Sequence, residues 1–243
     1  HLNVSVGFVS LILRNGITSC SFTTEQRLWV SIDWSKVPAG DDLSASIEVT
    51  SNAGKHAIKV PVFKPAGPSR DEVSGFVESH GYVSMEAEHF TKKESRGGAA
   101  WDVVKGLGRS GDSVTVFPPT VASQTELAGI RSSSPSMQYE IYLFHSGEAR
   151  LDIDCLPTKA VAPSRGVSVA VSIDGQEPQI VDGKGGDVLT NLRRMTTKVN
   201  ITEPGKHTLT VWMVDPAVVI DKLVLDFRPP VETYLGPLES YRR

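Results

Sequence analysis

The chain has 243 residues, of which 40% are hydrophobic and 22% charged, and its formal net charge is −3. The length suits one large or two small domains, and the composition is ordinary for a globular protein. The small negative charge gives no electrostatic reason to expect nucleic acid or an anionic membrane as a partner. No apolar run approaches the ~20 residues that span a bilayer. The longest candidate, "PAVVIDKLVLDF", is interrupted by Asp221 and Lys222.

Strand signals dominate the chain from its beginning to its end. Short alternating runs in the first third are separated by turn-forming residues, namely "RLWVSIDW", "LSASIEVTS" and "HAIKVPVF". The stretch "KPAGPSRDEVSG" is rich in Pro, Gly and Ser and is typical of a linker. A second series follows: "GYVSMEAEHF", "DSVTVFP", "SMQYEIYLF", "ARLDIDCL", "GVSVAVSIDG", "PQIVDG", "HTLTVWMVD" and "VVIDKLVLDF". Asp174-Gly175 and "EPGK" are typical of hairpin turns.

This pattern predicts an all-β protein of two units. We expect a small β unit over residues 1–65, a linker over 66–77, a larger β-sandwich over 78–228 and an extended C-terminal tail over 229–243. The first unit is near the lower size limit for independent folding. Because the chain begins "HLNVSVGF" without Met, we interpret it as a piece of a longer protein, with further strands of the small unit upstream.

The two cysteines, Cys20 and Cys155, lie far apart in the sequence. Their number excludes a disulfide-stapled scaffold and a zinc site of several cysteines. Buried thiols are favoured over a bridge.

The stretch "YVSMEAEHF" contains an unusual pair of acidic residues. If it forms one strand, Glu86 and Glu88 share a face, with Cα atoms roughly 6.5–7 Å apart. Two neighbouring anions need compensation, either from water, from a cation such as Lys92, Lys93 or Lys222, or from a metal. They do not suit a glycosidase, because its two carboxylates must flank the sugar from opposite directions.

Two other motifs lack the context that their chemistry requires. "GLGRSG" matches the G-x-G-x-x-G dinucleotide fingerprint, but a strand-like "DSVTVF" follows where a helix is needed. "GDSV" resembles a serine-esterase signature around Ser113, yet no histidine and acid stand in the familiar arrangement to activate it. An independent hydrolase is therefore the least favoured function.

Several unusual strings occur in an order similar to that of glycoside hydrolase family 115, the xylan α-1,2-glucuronidases: "WDVVKGLGRSGDSVTVFP", "HTLTVWMVDPAVVIDKLVLD" and "YLGPLES". These strings belong to the C-terminal β-sandwich of that family. "TTEQRLWVSIDWSKVPAG" resembles, less distinctively, the immunoglobulin-like domain that precedes it. The resemblance implies no catalytic residue on this chain, because the catalytic domains lie upstream.

The sandwich also resembles the jelly-roll of carbohydrate-binding module families 6 and 35. The resemblance implies a structural calcium with ligands at Glu86, Glu88 and Asp221, completed by carbonyls and water. The alternative is a solvated edge with lysine counter-charges.

The resemblance further implies a sugar cleft formed by loops at one end of the sandwich. Trp101 lies in the Gly-rich stretch "SRGGAAWDVVKGLGRSG", where an aromatic ring could stack on a pyranose. Arg96 and Arg109 could pair with a uronate carboxylate, and Asp102 could accept from hydroxyls. Alternatively, Trp101 plugs the core and both arginines are solvated.

Trp212 is a second candidate for contact with a sugar ring, because it shares a strand face with Thr208 and Thr210 and could line a concave sheet surface. Alternatively, a loop or a neighbouring domain covers it. Trp29 and Trp34 are expected in core or interdomain packing. "RLDIDC" places three charged residues on one face, which we interpret as solvated rather than as a second cation site: Arg150, Asp152 and Asp154.

Two functions remain open at this stage. The first is a secreted or periplasmic accessory module that binds glucuronoxylan or a related plant-wall glycan. The second is a structural module that packs against, or dimerises, the catalytic domains of its parent enzyme. A homodimer is a further expected assembly, whereas nucleic acid and membranes are not expected partners.

Overall fold

The computed structural model describes residues 2–3, 9–12, 19–20, 29–51, 54–69, 71–183, 189–229 and 233–243. The strand residues before Ser31, together with residues 41, 50 and 51, are described by their backbone alone. The chain divides into two compact units, 1–70 and 71–243. Their boundary lies inside the predicted linker 66–77.

The described part of the first unit contains six antiparallel strands in two sheets. One sheet has the order β3-β1-β5-β6 and the other pairs β2 with β4. The strands are β1 Leu2–Asn3, β2 Val9–Ile12, β3 Ser19–Cys20, β4 Trp29–Ile32, β5 Gly40–Ser51 and β6 Gly54–Lys64. Trp34 is 52% exposed, so the expectation that it packs in the core of the small unit is wrong. The side chains of Trp29 and Cys20 lie outside the described part of the chain.

Two sheets of six strands each make up the described residues of the second unit. Sheet I has the order β10-β11-β18-β13-β16 with β8 beside β18, and sheet II has the order β15-β14-β17-β12-β7 with β9 beside β12. The strands are β7 Phe76–Val77, β8 Tyr82–Glu86, β9 Lys92–Glu94, β10 Ala100–Val104, β11 Ser113–Phe117, β12 Ser136–Leu143, β13 Gly147–Cys155, β14 Ser168–Ile173, β15 Gln179–Asp182, β16 Arg193–Ile201, β17 Gly205–Met213 and β18 Val219–Asp226.

The core lies between sheets I and II and follows from alternation along the strands. In β17, Leu209, Val211 and Met213 point into it, and β13 contributes Leu151 and Ile153. Burying one such side chain stabilises the fold by about 1.5–3 kcal/mol. The predicted all-β sandwich is confirmed.

Two predicted turns have different outcomes. Asp174 and Gly175 both have positive φ, as the central residues of a type I′ turn require, and they lie in the connection 174–178 between the paired strands β14 and β15. "EPGK" is not a hairpin turn, because β16 pairs with β13 in sheet I whereas β17 pairs with β12 and β14 in sheet II. It carries the chain from one sheet to the other.

A helix that the sequence pattern did not predict lies outside sheet II. Helix α1, Leu127–Ser133, is seven residues long, too short to show a helical period. Its Ile130 packs with Ala170, Trp212 and Val214 in a small cluster of buried residues separate from the main core.

The tail from Thr233 to Arg243 runs along the second unit, as its extended sequence suggests. Ser240 exchanges hydrogen bonds with Ser84 of β8, and the Val77 amide donates to the carbonyl of Tyr241. The tail is therefore built into the sandwich unit.

Candidate functional site

The "EAE" glutamates do not lie on one strand face, and that expectation is wrong. Strand β8 ends at Glu86, and Ala87–His89 forms a turn of 3-10 helix, which replaces the two-residue period of a strand. Glu86 and Glu88 nevertheless both contact the loop between β10 and β11. Glu86 accepts from the Ser110 hydroxyl at 3.0 Å, and Glu88 accepts from the Asp112 amide at 3.1 Å.

The negative charge of Glu86 is compensated by a lysine. Lys222 lies opposite Glu86 in the β18–β8 register, and its Nζ is 3.0 Å from Glu86 Oε1. Burial raises the pKa of Glu86 above its ordinary value; Lys222 and Ser110 act in the opposite direction. Within the described residues, Glu86 Oε2 and Glu88 Oε2 are buried without a hydrogen-bond partner. Each of the two glutamates therefore has one oxygen available to a cation.

Asp221, the third expected metal ligand, is held by Arg109. Its Oδ1 accepts from the Arg109 amide at 2.8 Å and its Oδ2 from Arg109 Nε at 3.0 Å. The described residues contain no group of three or more His, Cys, Asp or Glu side chains arranged to hold a metal ion. The three predicted ligands therefore surround one loop without forming a three-carboxylate site.

Arg109 is neither a sugar ligand nor solvated, so both sequence interpretations are wrong. Its side chain is 2% exposed and also donates to Asp154 Oδ2 at 2.8 Å and to the Tyr234 carbonyl. A buried guanidinium needs such partners, because an unpaired buried charge is strongly unfavourable. Arg109 therefore ties its loop to β13, β18 and the tail.

Trp101 is fully buried, and the interpretation as a sugar platform is wrong. The indole N–H donates to the Pro135 carbonyl at 3.1 Å, and the ring belongs to the core between the sheets. Strand pairing explains why Trp101 is buried, because it lies in β10 opposite the buried Val116 of β11. Asp102, which follows it, has its carboxylate 2.6 Å from Lys93 Nζ near the surface.

The two remaining sugar candidates, Arg96 and Trp212, meet in a groove on the outer face of sheet II. We call it the Trp212 groove; its volume is about 420 Å³. It is lined by Glu94, Arg96, Arg131, Ser136, Gln138, Asp174, Gly175, Thr208, Thr210 and Trp212. The expected shared face of Trp212, Thr208 and Thr210 is therefore observed, although Trp212 is only 8% exposed beneath α1.

The groove is polar, and its charges are partly paired. Arg96 donates to Glu94 at 2.8 Å, and Lys92 donates to the other oxygen of Glu94 at 2.7 Å. These two cations lower the pKa of Glu94 to about 2. Arg131 reaches across to the Gly175 carbonyl at 2.7 Å. Amide, hydroxyl and guanidinium groups together can hydrogen-bond a polyhydroxylated ligand.

Two of the three residues on the "RLDIDC" face, Asp152 and Asp154, are buried, whereas the Arg150 side chain is 28% exposed; the interpretation as solvated is therefore wrong for the aspartates. Asp154 accepts two hydrogen bonds from Arg194, of 2.7 and 3.0 Å, and one from Arg109. Asp152 is 2.7 Å from Arg150 Nη2 and accepts from Thr196. Burial raises the pKa of Asp152. The sequence signal was the alternation of polar with apolar residues in both β13 and β16, which suggests cross-strand pairing of their polar side chains.

The two motifs that the sequence analysis rejected lie in strand β11 and in the connection before it. "GLGRSG" lies in the connection between β10 and β11, where the Asp112 carboxylate accepts from the Gly106 amide. Ser113 is fully buried in β11.

Cys155 is a buried free thiol, and its burial raises the pKa of the thiol. Within the described residues, no helix has the length and apolarity to cross a membrane.

The fold and groove define a β-sandwich module with a polar concavity on one sheet. Residues 75–239 match the model of the glycosyl hydrolase family 115 C-terminal domain. The chain belongs to this family and is a carbohydrate-related accessory domain. The comparison with curated proteins found no match.

The solved structures to which this chain is similar include two enzymes. A family GH115 4-O-methyl-α-glucuronidase with specificity for decorated arabinogalactans is 16% identical to this chain. The match covers 68% of this chain and 19% of the enzyme, with a TM-score of 0.47. An exo-β-1,3-galactanase from Phanerochaete chrysosporium is also 16% identical. This match covers 75% of this chain and 41% of the galactanase, with a TM-score of 0.39. This chain therefore spans well under two thirds of either enzyme.

A family 35 carbohydrate-binding module from Clostridium thermocellum is also similar to this chain, and nearly the whole of the module is matched. The two are 14% identical, with 61% of this chain and 98% of the module covered, and the TM-score is 0.40.

Proposed function

We propose that the chain is a non-catalytic accessory region of a secreted or periplasmic xylan α-glucuronidase-like protein, and that it binds glucuronoxylan or a related plant-wall glycan. The membership of the sandwich in the family 115 C-terminal domain supports this proposal. The observation that carries it is the Trp212 groove.

The chemistry of the groove suits an acidic glycan. Gln138 of β12 lies opposite Thr210 of β17, with Thr208 two residues before it, so donors and acceptors stand on two neighbouring strands of the groove. Arg96 is 42% exposed; its Nη2 donates to Glu94 at 2.8 Å, and its Nη1 makes a long contact of 3.5 Å with the Ser132 carbonyl. Its remaining N–H groups suit a uronate carboxylate. The edge of Trp212 supplies an apolar contact.

Affinity electrophoresis tests this function. Glucuronoxylan in the gel should retard the chain, and Arg96→Ala should weaken binding about tenfold or more, because hydrogen bonds to charged groups contribute about 1.5–3 kcal/mol. Lys105→Ala is the matched control, since Lys105 also forms one exposed ion pair, with Asp112, but lies away from the groove. Equal retardation of both variants would exclude the groove.

A structural role is the second candidate, and the tail favours it. Four large apolar side chains are exposed in the tail segment that covers the sandwich: Tyr234, Leu235, Leu238 and Tyr241. Such a patch suits contact with the catalytic domains of a parent enzyme or a second copy. Absence of retardation in glucuronoxylan, together with concentration-dependent sedimentation, would favour this role.

We also propose a structural calcium, with Glu86 and Glu88 as its side-chain ligands. Their unpartnered buried oxygens fit a hard cation. Asp221 does not fit, because both of its oxygens accept from Arg109. Backbone carbonyls and water would complete the shell, and the ion would stabilise the fold by offsetting two buried carboxylates.

Chelation tests the calcium proposal. A ligand that binds only the folded state at 100 times its Kd adds about 2.7 kcal/mol. A chelator should therefore lower the melting temperature, and added calcium should restore it. Glu88→Gln should abolish this response, whereas Glu94→Gln, a surface change, should retain it. An unchanged melt of the wild-type chain with and without chelator contradicts the proposal.

A further inference from the structure

An acceptor motif for N-linked glycans lies at the exposed end of strand β16. Of the five asparagines in the sequence, two are followed by a residue other than proline and then by Ser or Thr, namely Asn3 in "NVS" and Asn200 in "NIT". This spacing is the motif that accepts N-linked glycans, and it marks surface positions in secreted proteins. The side chain of Asn3 lies outside the described part of the chain, whereas Asn200 and Thr202 are both described.

Strand β16 turns Asn200 towards solvent. Its neighbours Val199 and Ile201 are 3% and 1% exposed and belong to the core, so strand alternation directs the side chain between them to the outer face of sheet I. Opposite Asn200 in the register lies Glu148, which is exposed and pairs with Lys198 at 2.6 Å. Asn200 and Thr202 are both exposed, so the two side chains that define the motif are accessible on a polar surface.

Asn200 also lies at an edge of sheet I. Among the described strands, β16 is the last in the order of the sheet, and an edge strand offers backbone groups with which another chain can pair. Gln179 of β15 contacts this edge further along the strand, where its side chain donates to the Lys198 carbonyl and accepts from the Thr197 hydroxyl, each at 3.1 Å. Asn200 lies two residues beyond this contact.

We infer that Asn200 accepts an N-linked glycan when the chain passes through a secretory pathway that contains an oligosaccharyltransferase. The side-chain Nδ2 bonds to C1 of the first sugar of a lipid-linked oligosaccharide, the bond from that carbon to the lipid diphosphate breaks, and Nδ2 releases one proton. The attached glycan is bulky and hydrated, so it opposes pairing of β16 with another chain. The inference rests on the secretion that the proposed function includes, and it does not depend on sugar binding.

The glycan at Asn200 lies on the side of the sandwich away from the Trp212 groove. The groove is on the outer face of sheet II, and its lining contains no residue of β16. Asn200 faces outward from sheet I. Glycosylation should therefore leave binding in the groove unchanged, and it identifies this end of the β16 edge as a side of the domain that faces water.

Secretion of the full chain from a yeast host, followed by tryptic peptide mapping, tests the inference. Trypsin places the three informative asparagines in separate peptides, with Asn3 in 1–14, Asn191 in 185–193 and Asn200 in 199–206. The peptide 199–206 should carry a glycan, and enzymatic release of the glycan should convert Asn200 to Asp. Asn191 is exposed but is followed by "LR", so it is the internal control and should stay unmodified.

Thr202→Ala and Thr202→Ser form a matched pair of variants at an exposed position, because only the second keeps the hydroxyl that the motif requires. Thr202→Ala should leave the peptide 199–206 unmodified, whereas Thr202→Ser should retain its glycan. An unmodified peptide 199–206 in the secreted wild-type chain overturns the inference, even when Asn3 is glycosylated. A glycan on Asn200 that survives Thr202→Ala overturns it as well.

Affinity electrophoresis of the secreted chains separates this inference from the proposed function. If neither the wild-type chain nor Thr202→Ala is retarded in glucuronoxylan, the groove proposal fails while a glycan on Asn200 still supports the inference. If the glycan is absent, retardation can still support the groove. Retardation of Thr202→Ala but not of the glycosylated wild-type chain would contradict the position of the glycan away from the groove.

Discussion

Arg109 is the residue whose replacement should affect stability most. Arg109→Met leaves Asp154 and Asp221 buried without their shared cation, and breaking a buried ion pair in this way costs about 3–5 kcal/mol. Urea denaturation measures this loss. Lys105→Met is the control, because an exposed pair contributes about 0–1 kcal/mol. A loss below about 1 kcal/mol for Arg109→Met would contradict the ion-pair assignment.

Glu94 provides a pH-dependent readout of the Trp212 groove. Its pKa is lowered from 4.5 to about 2 by Lys92 and Arg96. The folded state therefore binds fewer protons than the unfolded state in this interval, and the stabilising contribution of Glu94, full above pH 4.5, is lost as the pH falls towards 2. NMR titration of the side-chain carboxyl should give this value, and Arg96→Ala should raise it. A normal pKa in the wild-type chain would contradict the pairing.

At the scale of elements, the tail should behave as a structural part of the sandwich. Deleting residues 233–243 removes hydrogen bonds to Ser84, to Val77 and to Lys222, whose Nζ donates to the carbonyls of Leu235 and Pro237. Five such bonds at about 0.5 kcal/mol or more each predict a loss of at least about 2.5 kcal/mol in urea denaturation.

Leu238→Ser is the control for the deletion, because this leucine is 87% exposed and its change should alter stability by no more than about 0.5 kcal/mol. A deleted chain that unfolds at the wild-type urea concentration would show that the tail only rests on the surface.

At the scale of the whole molecule, the fold was predictable because strand alternation and turn residues are local. Leu209, Val211 and Met213 reveal their inward face from sequence alone. The sites were less predictable, because the places of Trp101 and Arg109 depend on contacts with Pro135, Asp154 and Tyr234, between 34 and 125 residues away. Glu88 was misplaced for a local reason, since three residues of 3-10 helix interrupt the alternation.

The pairing of β8 with β18 has a consequence for folding kinetics. Among the described strands of the sandwich unit these are the second and the last, and Gly75 and Arg243 exchange two backbone hydrogen bonds of 3.2 Å beyond them. Contacts between such distant segments require closure of a long loop before they gain free energy, which places this topology among slow folders, in the range of milliseconds to seconds. Sheet I therefore completes its pairing only after nearly the entire unit has been synthesised.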